Sequence, residues 1–461
     1  MKPHRRSAAA LMTLARRCLC STLLAALLSP AISPAQGHRP VFTPPMPRGI
    51  GQGRPDASVF RNEPPGLQKQ QNWLDPEHAM EPGKLQHLRA LSIKQLLRQH
   101  RDLLEADPRG EPIIRRELLV WSPPAGLLDA ARAAGYSVAR SLSLDGLDVS
   151  LVVLRAPDNV STEDALEKLH SLAPQGVVDF NHIYTGSASS ATVATAAPPR
   201  KKTHAASPAQ MRIGLIDGGL DLAHPALAQA DVRHWGCDGK AVASAHGTAV
   251  ASLMVGKTDS FHGVAPAARL YAADVYCGAD TGAAADQIAL AMAWLAAEKV
   301  PVINISLVGP ANQTLELAVR ALLQRGHLLT AAVGNDGPAA PPLYPASYPG
   351  VVGVSASDAL HRILPEAARG PQVMFAAPGS QMLAAASGAA PYRVVRGTSF
   401  AAPIVAGMLA EKLRQPDAGA ARHAISELAQ QALQPGNTER TPEAGYGIVG
   451  EAFRISPEQA H

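Results

Sequence analysis

Aromatic residues supply only 4% of the 461-residue chain, and cysteine occurs four times. Positive charge is scarce in clusters: the net charge is +4, spread along the chain, with no basic stripe interleaved with aromatics. A nucleic-acid partner is therefore not expected. No apolar run approaches the roughly 20 residues needed to cross a bilayer, so no stable membrane span is expected. Nor is there an Asp/Asn-rich loop of EF-hand type, and calcium or any other metal is left unassigned. What the chain does have is apolar content, 46% hydrophobic against 17% charged. That composition supports a sizeable core, and the length allows two or three domains.

Residues 1–35 begin with Lys2, Arg5 and Arg6, continue with an apolar run from Leu19 to Leu28, and end in the small residues Ser33 and Ala35. This order predicts a secretory signal peptide and export to the periplasm or the medium. Cys18 and Cys20 fall inside it, which leaves Cys237 and Cys277 for the exported chain. An oxidising compartment makes these either one disulfide or a pair of buried free thiols.

Residues 36–83 are rich in Pro, Gly and Arg and predict a flexible spacer. Leu85, Leu88, Leu91, Leu96, Leu97, Leu103 and Leu104 then recur at helical spacing, up to the stop Asp107-Pro108-Arg109-Gly110. Residues 117–186 alternate between types: a strand at Glu117–Trp121, a helix over Pro124–Ala134, and a strand pair or one long strand over Leu144–Leu154. A helix opened by Ser161-Thr162-Glu163-Asp164 follows, then a strand over Gly176–Tyr184. With the helix before it, the region 84–186 predicts a small α/β sandwich of ferredoxin-like type. Residues 187–209 are Ser, Ala, Thr and Pro with a short basic cluster, an exposed linker and a natural place to be cut.

From residue 210 to 455 the pattern becomes strand-then-helix. Apolar runs at Ile213–Ile216, Leu270–Ala273, Val302–Ile305 and Leu328–Val333 fit buried parallel strands, with helices over Thr248–Val255, Ala284–Ala297 and Leu315–Gln324 between them. The fold class expected is α/β, a doubly wound parallel sheet, whose sites form at the carboxyl ends of strands. Asp217 follows the first strand, and His246 opens a helix. Asn335 follows the strand that ends at Val333. Ser399 starts the apolar segment Phe400–Leu413, within Gly397-Thr398-Ser399-Phe400-Ala401-Ala402-Pro403. A serine hydroxyl becomes a nucleophile when an imidazole takes its proton, and a carboxylate fixes that imidazole. An amide at a strand end can donate to the resulting oxyanion. Each residue alone also fits a turn or cap.

Together the segments around Asp217, His246-Gly247-Thr248, Ala332–Gly337 and Gly397–Pro403, in that order, resemble the subtilisin-like serine proteases, the subtilases. The resemblance covers about 207 to 455 and also touches Gly263-Val264-Ala265-Pro266 and Asn304-Ile305-Ser306-Leu307. It implies a serine endopeptidase in which Asp217 orients, His246 is base then acid, Ser399 is the nucleophile and Asn335 the oxyanion donor. No cofactor is required for that chemistry. Substrate-binding positions by the same resemblance are Ser306, Leu307, Val308, Gly309, Ala332, Val333 and Gly334. The module 117–186 then resembles the family's propeptide, an intramolecular inhibitor and folding aid, with the helix ahead of it an addition to the minimal form, and the partners implied are peptide or protein substrates. The chain departs from the family at Gly218, usually Ser or Thr, at Ser252, usually Gly, at Val308, usually Gly, and at Val333, often smaller. Valine at the last two positions narrows the cleft toward small or medium apolar side chains. A catalytically silent binding protein is the alternative, and loss of the Ser, His or Asp would favour it; all three are present.

Overall fold

A computed structural model describes residues 82–186, 210–240, 242–386, 391–433 and 440–457. The expected signal peptide, nearly all of the spacer and the linker 187–209 lie outside the described residues. Helix α1, Pro82–Gln99, precedes a module built from strands β1, Leu104–Ala106, and β2, Pro112–Trp121, and helix α2, Leu127–Ala133. Strands β3, Ser137–Leu144, and β4, Val149–Arg155, helix α3, Thr162–Leu172, and strand β5, Val177–Gly186, complete it. The helix expected to run to Leu104 stops five residues earlier. The chain turns at His100, leaves Leu103 exposed, and buries Leu104 as the first residue of β1, paired with Ile114. Strand pairing there outweighs the continued leucine spacing. Residues 144–154 resolve as a hairpin, β3 to β4, turning through a single 3₁₀ turn at Asp145–Leu147. Helix α3 starts as its capping signal requires, with the Ser161 hydroxyl accepting from the Asp164 N–H at 3.0 Å.

The module's sheet is antiparallel, in order β5-β2-β4-β3 with β1 added to β2. Period-two alternation buries both of its faces. Leu118, Val120, Val152 and Leu154 pack with α2 and α3. Leu119, Leu151 and Val153 instead join an apolar cluster that belongs mostly to the C-terminal domain.

The C-terminal domain carries a seven-stranded, all-parallel sheet. In chain order its strands are β6, Arg212–Asp217, β7, Asp231–Trp235, and β8, Arg269–Asp274. After the short β9, Ala283–Ala284, come β10, Val302–Ile305, and, beyond the two-residue β11, Leu307–Val308, β12, Leu328–Ala332. Strands β13, Val352–Ser357, and β14, Val373–Pro378, follow. The spatial order is β14-β13-β12-β10-β6-β8-β7. From β6 the chain first builds outward through β8 and β7, then outward on the other side through β10 and β12. The direction reverses beside β6, where such sheets form their sites. A hairpin, β15, Met382–Ala385, and β16, Tyr392–Val395, stands apart from the main sheet.

Helices cover both faces. On one lie α4, Ala245–Val255, α7, Thr398–Lys412, and α8, Ala418–Gln430, with β15 and Val395 of β16 in the same apolar cluster. On the other lie α5, Ala285–Ala297, and α6, Gln313–Gln324, whose cluster includes Leu307 of β11 and Ala283 of β9. Among the described residues no helix is long and apolar enough to cross a membrane.

Candidate active site

Asp217 is the last residue of β6 and fully buried. Its Oδ1 accepts from the Gly218 N–H at 2.7 Å, and both oxygens face one imidazole. His246 Nδ1 lies 2.9 Å from Oδ1 and 3.0 Å from Oδ2. A carboxylate can only accept, so Nδ1 carries the proton and Nε2 is left as the acceptor. Nε2 is buried without a hydrogen-bond partner among the described residues, a demanding position for a ring nitrogen unless a donor comes to it. His246 is held in place by its helix: Ser244 caps α4, its hydroxyl accepting from the Gly247 N–H at 2.9 Å.

Ser399 sits in the first turn of α7, buried, with Phe400 against His246 at 5.5 Å between ring centroids. The helix starts two residues earlier than the apolar pattern suggests, which puts Pro403 past the first turn. Proline has no N–H to give to the carbonyl four residues back, and that carbonyl belongs to Ser399. The Ser306 hydroxyl bonds it instead, at 3.1 Å, and itself accepts from Asn304 Nδ2 at 2.9 Å. The break in the helix ladder thus ties the serine's backbone to the end of β10.

A second tie comes from beyond β12. Asn335 Oδ1 accepts from the Thr398 N–H at 3.0 Å, and the Gly334 N–H donates to Thr398 Oγ1 at 3.2 Å. The Asn335 amide oxygen is thereby fixed against the backbone at the start of α7. Gly397, at φ 135°, makes this approach possible: a β-carbon there would stand 3.1 Å from Asn335 Nδ2. Three strand ends, those of β6, β10 and β12, and the segment entering α7 therefore come together.

The other expected positions separate into two groups. Leu307 and Val308 form β11, and Gly309 pairs with Tyr344 through two backbone bonds of 3.0 Å. Ala332 and Val333 are fully buried in the core, Val333 within the cluster beneath α5 and α6. Ser252, where the sequence departs from its relatives, donates to Ala249 O at 2.7 Å and accepts from the Ala385 N–H at 3.0 Å, joining α4 to β15. Cys237 and Cys277 reach disulfide geometry, Sγ to Sγ 2.21 Å.

Reading the sequence missed Asp274. It ends β8, is paired in register with Asp217, and is 2% exposed. Its Oδ1 accepts the Tyr276 and Cys277 N–H groups at 3.1 and 2.9 Å, and Oδ2 has no hydrogen-bond partner among the described residues. Burial, reinforced by the charge of Asp217, raises its pKa to about 6. An Asp at a strand end followed by Val-Tyr-Cys offers no distinctive signal, so only the register reveals it.

The edge formed by β9 and β11 carries a strand of the N-terminal module. Strand β5 of the N-terminal module lies between β9 and β11, antiparallel to both, with Tyr184 opposite Ala283 and Gly186 opposite Leu307. As β5 advances, its partners count down toward Ser306. Tyr184 is fully buried and donates from its hydroxyl to Pro310 O at 2.6 Å. Its ring fills the space of a missing side chain at Gly309, where a β-carbon would meet it at 2.5 Å.

A family model described as the subtilase family matches residues 209–447. Subtilisin BL of Lederbergia lenta is 38% identical over 168 residues, 36% of this chain and 61% of that one. Subtilisin E of Bacillus subtilis (strain 168) is 32% identical over 216 residues, 43% of this chain and 54% of that one. The chain thus spans about half the length of the curated relatives it matches. Among solved structures, fervidolysin from Fervidobacterium pennivorans shares the fold, with a TM-score of 0.59 at 19% identity, over 76% of this chain and 62% of that one.

Proposed function

Because the chain belongs to the subtilase family, we propose that it is an exported serine endopeptidase, made as a zymogen and acting in the periplasm or the medium. The observation that carries the reading is the imidazole of His246 held by both oxygens of Asp217, beside a helix start tied down on two sides around Ser399. His246 Nε2 takes the Ser399 proton as Oγ bonds to the scissile carbonyl carbon. The oxyanion is met by Asn335 and by backbone N–H groups at the start of α7, where the helix field also favours negative charge. His246 then returns the proton to the leaving nitrogen as the C–N bond breaks, and water releases the acyl-enzyme by the same steps.

The N-terminal module acts as the intramolecular inhibitor. Its β5 makes backbone bonds to the two edges that an extended substrate would use, the mode of strand addition. Val308, on the edge β11 where glycine is usual, narrows the cleft toward small or medium apolar side chains. Fastest turnover of peptides with Phe or Tyr at the cleavage position would overturn that narrowing. The disulfide Cys237–Cys277 braces the turn that carries Asp274.

Fluorophosphonate labelling of the processed protein tests the chemistry. Wild type is expected to label on Ser399, and Ser399→Ala to stay unlabelled. A processed wild type that takes no label favours the catalytically silent binding protein.

A further inference from the structure

Among the described residues, two arginines in the segment leading to Ser399 differ in their partners. Arg396 shows the usual state: Nε and Nη2 bond Glu366 at 2.6 and 2.9 Å, and Nη1 bonds Ser380 Oγ at 2.8 Å. Arg393, on β16, has no carboxylate partner among the described residues. Its Nη2 donates to the Ala245 carbonyl at 3.1 Å, one residue before His246, and its Nε is buried with no partner. Burial lowers its pKa, and no acid offsets this. A guanidinium stays charged in proteins, so this is a half-buried cation without a counter-charge, a costly arrangement unless an anion arrives.

The mount is rigid. Ala385 of β15 bonds Ser252 of α4, and Tyr392, beside Arg393, stacks on Phe261 at 5.0 Å and meets His224 edge-on at 5.5 Å. The mount also has a side. Strand β5 enters the cleft from β9 and β11, which pack in the cluster under α5 and α6. The β15–β16 hairpin packs in the opposite cluster, with α4 and α7. A peptide lying as β5 lies reaches Ser399 from the first side. Its continuation therefore departs on the second side, past the start of α4, where His246 protonates the leaving amine.

We propose that Arg393 is a specificity residue that receives a carboxylate from the segment of a peptide substrate on the leaving side of the cleaved bond. The inference rests on the protease reading above. The carboxylate comes either from an Asp or Glu side chain or from a nearby carboxyl terminus, and the guanidinium fork suits both.

The test uses the full chain after processing and internally quenched peptides of one sequence. They carry Ala, Asp or Lys at each of the first three positions after the cleaved bond, with amidated or free carboxyl ends. Wild type is expected to favour Asp over Lys at one of these positions by about tenfold in kcat/KM, the size of a charge-assisted contact. The ratio is expected to fall near one in Arg393→Gln, to drop below one in Arg393→Glu, and to persist in part in Arg393→Lys. An Asp preference that survives amidation assigns a side chain, whereas a preference for the free end that amidation removes assigns the terminus. If the variants fail to fold, the decline of the wild-type ratio with ionic strength decides. Indifference of wild type to both Asp and the free end, a ratio unchanged by Arg393→Gln, or a ratio insensitive to salt overturns the inference. A protein that cleaves no peptide and takes no fluorophosphonate overturns the protease reading, and this inference with it.

Discussion

The N-terminal module and the domain it covers are both α/β, but they bury charge differently. Where the two meet, β2, β3 and β5 set Glu117, Arg140 and Asn181 against Asp286 at the start of α5. Arg140 bonds Glu117 at 2.9 and 2.6 Å and Asp286 at 3.2 and 2.8 Å, and Asn181 Nδ2 bridges both carboxylates. Nearby, buried His182 lies between Asp107, at 3.2 Å, and Asn312, at 3.0 Å. Within the C-terminal domain, by contrast, the sheet is covered by Ile, Leu, Val and Ala on both faces, and its buried acids Asp217 and Asp274 stand at strand ends beside the site. Ionic contacts fix position at little net gain, whereas apolar burial holds. The ion cluster accordingly fixes the register in which the module sits, while Leu119, Leu151 and Val153 add apolar contact with the domain beneath it.

The largest expected effect breaks the domain side of that contrast. Asn335→Ala is expected to lower kcat by about a hundred- to a thousandfold, the usual cost of losing one oxyanion donor. KM should change little; a loss confined to KM would show Asn335 to be a binding residue only. Next comes the interface. Asp286→Ala in a Ser399→Ala catalytic domain, with the module supplied as a separate chain, leaves Arg140 and Asn181 short of a partner, at a cost of about 2 to 3 kcal/mol. The Arg140 side chain retains 37% exposure, so solvent tempers the loss. The variant is expected to release the module faster in a dissociation measurement. An unchanged rate would mean that the ion cluster plays no part in holding it.

Asp274 gives a pH signature that belongs to the domain alone. Its folded pKa, about 6, lies above the ordinary 3.8, so ionisation favours the unfolded chain. The site therefore costs stability above pH 6, by up to about 3 kcal/mol. That cost shrinks as pH falls through 6 and disappears below the unfolded value near 4. Asp274→Asn keeps the acceptor for Tyr276 and Cys277 and is expected to raise Tm at pH 8 but not at pH 4. An equal gain at both would assign the effect to packing.

The strands that lead to the candidate site were legible because buried parallel strands are written as runs: Ile213–Ile216, Val302–Ile305 and Leu328–Ala332 stand where the apolar pattern puts them. Strands β13 and β14 were not legible. Val352-Gly353-Val354-Ser355-Ala356-Ser357 and Val373–Pro378 are rich in small residues that read equally well as loop. Strand β7 is Asp-Val-Arg-His-Trp, an edge with little apolar signal. At the site, chemistry-bearing types announced Asp217, His246, Ser399 and Asn335. The contacts that fix them, from Ser306 to Ser399 O and from Thr398 to Asn335, join residues 93 and 63 positions apart and leave no local trace. Asp274 and Arg393 went unnoticed for the same reason, since an unpaired charge becomes visible only when its neighbours are known.

Intact mass of the exported full chain, wild type beside Ser399→Ala, tests most directly the claim that the domain frees itself from the module. The account predicts that wild type is cut within 187–209 and that the Ala variant keeps residues 84–209 joined to the rest. Both proteins cut at the same bond, or neither cut, would contradict it.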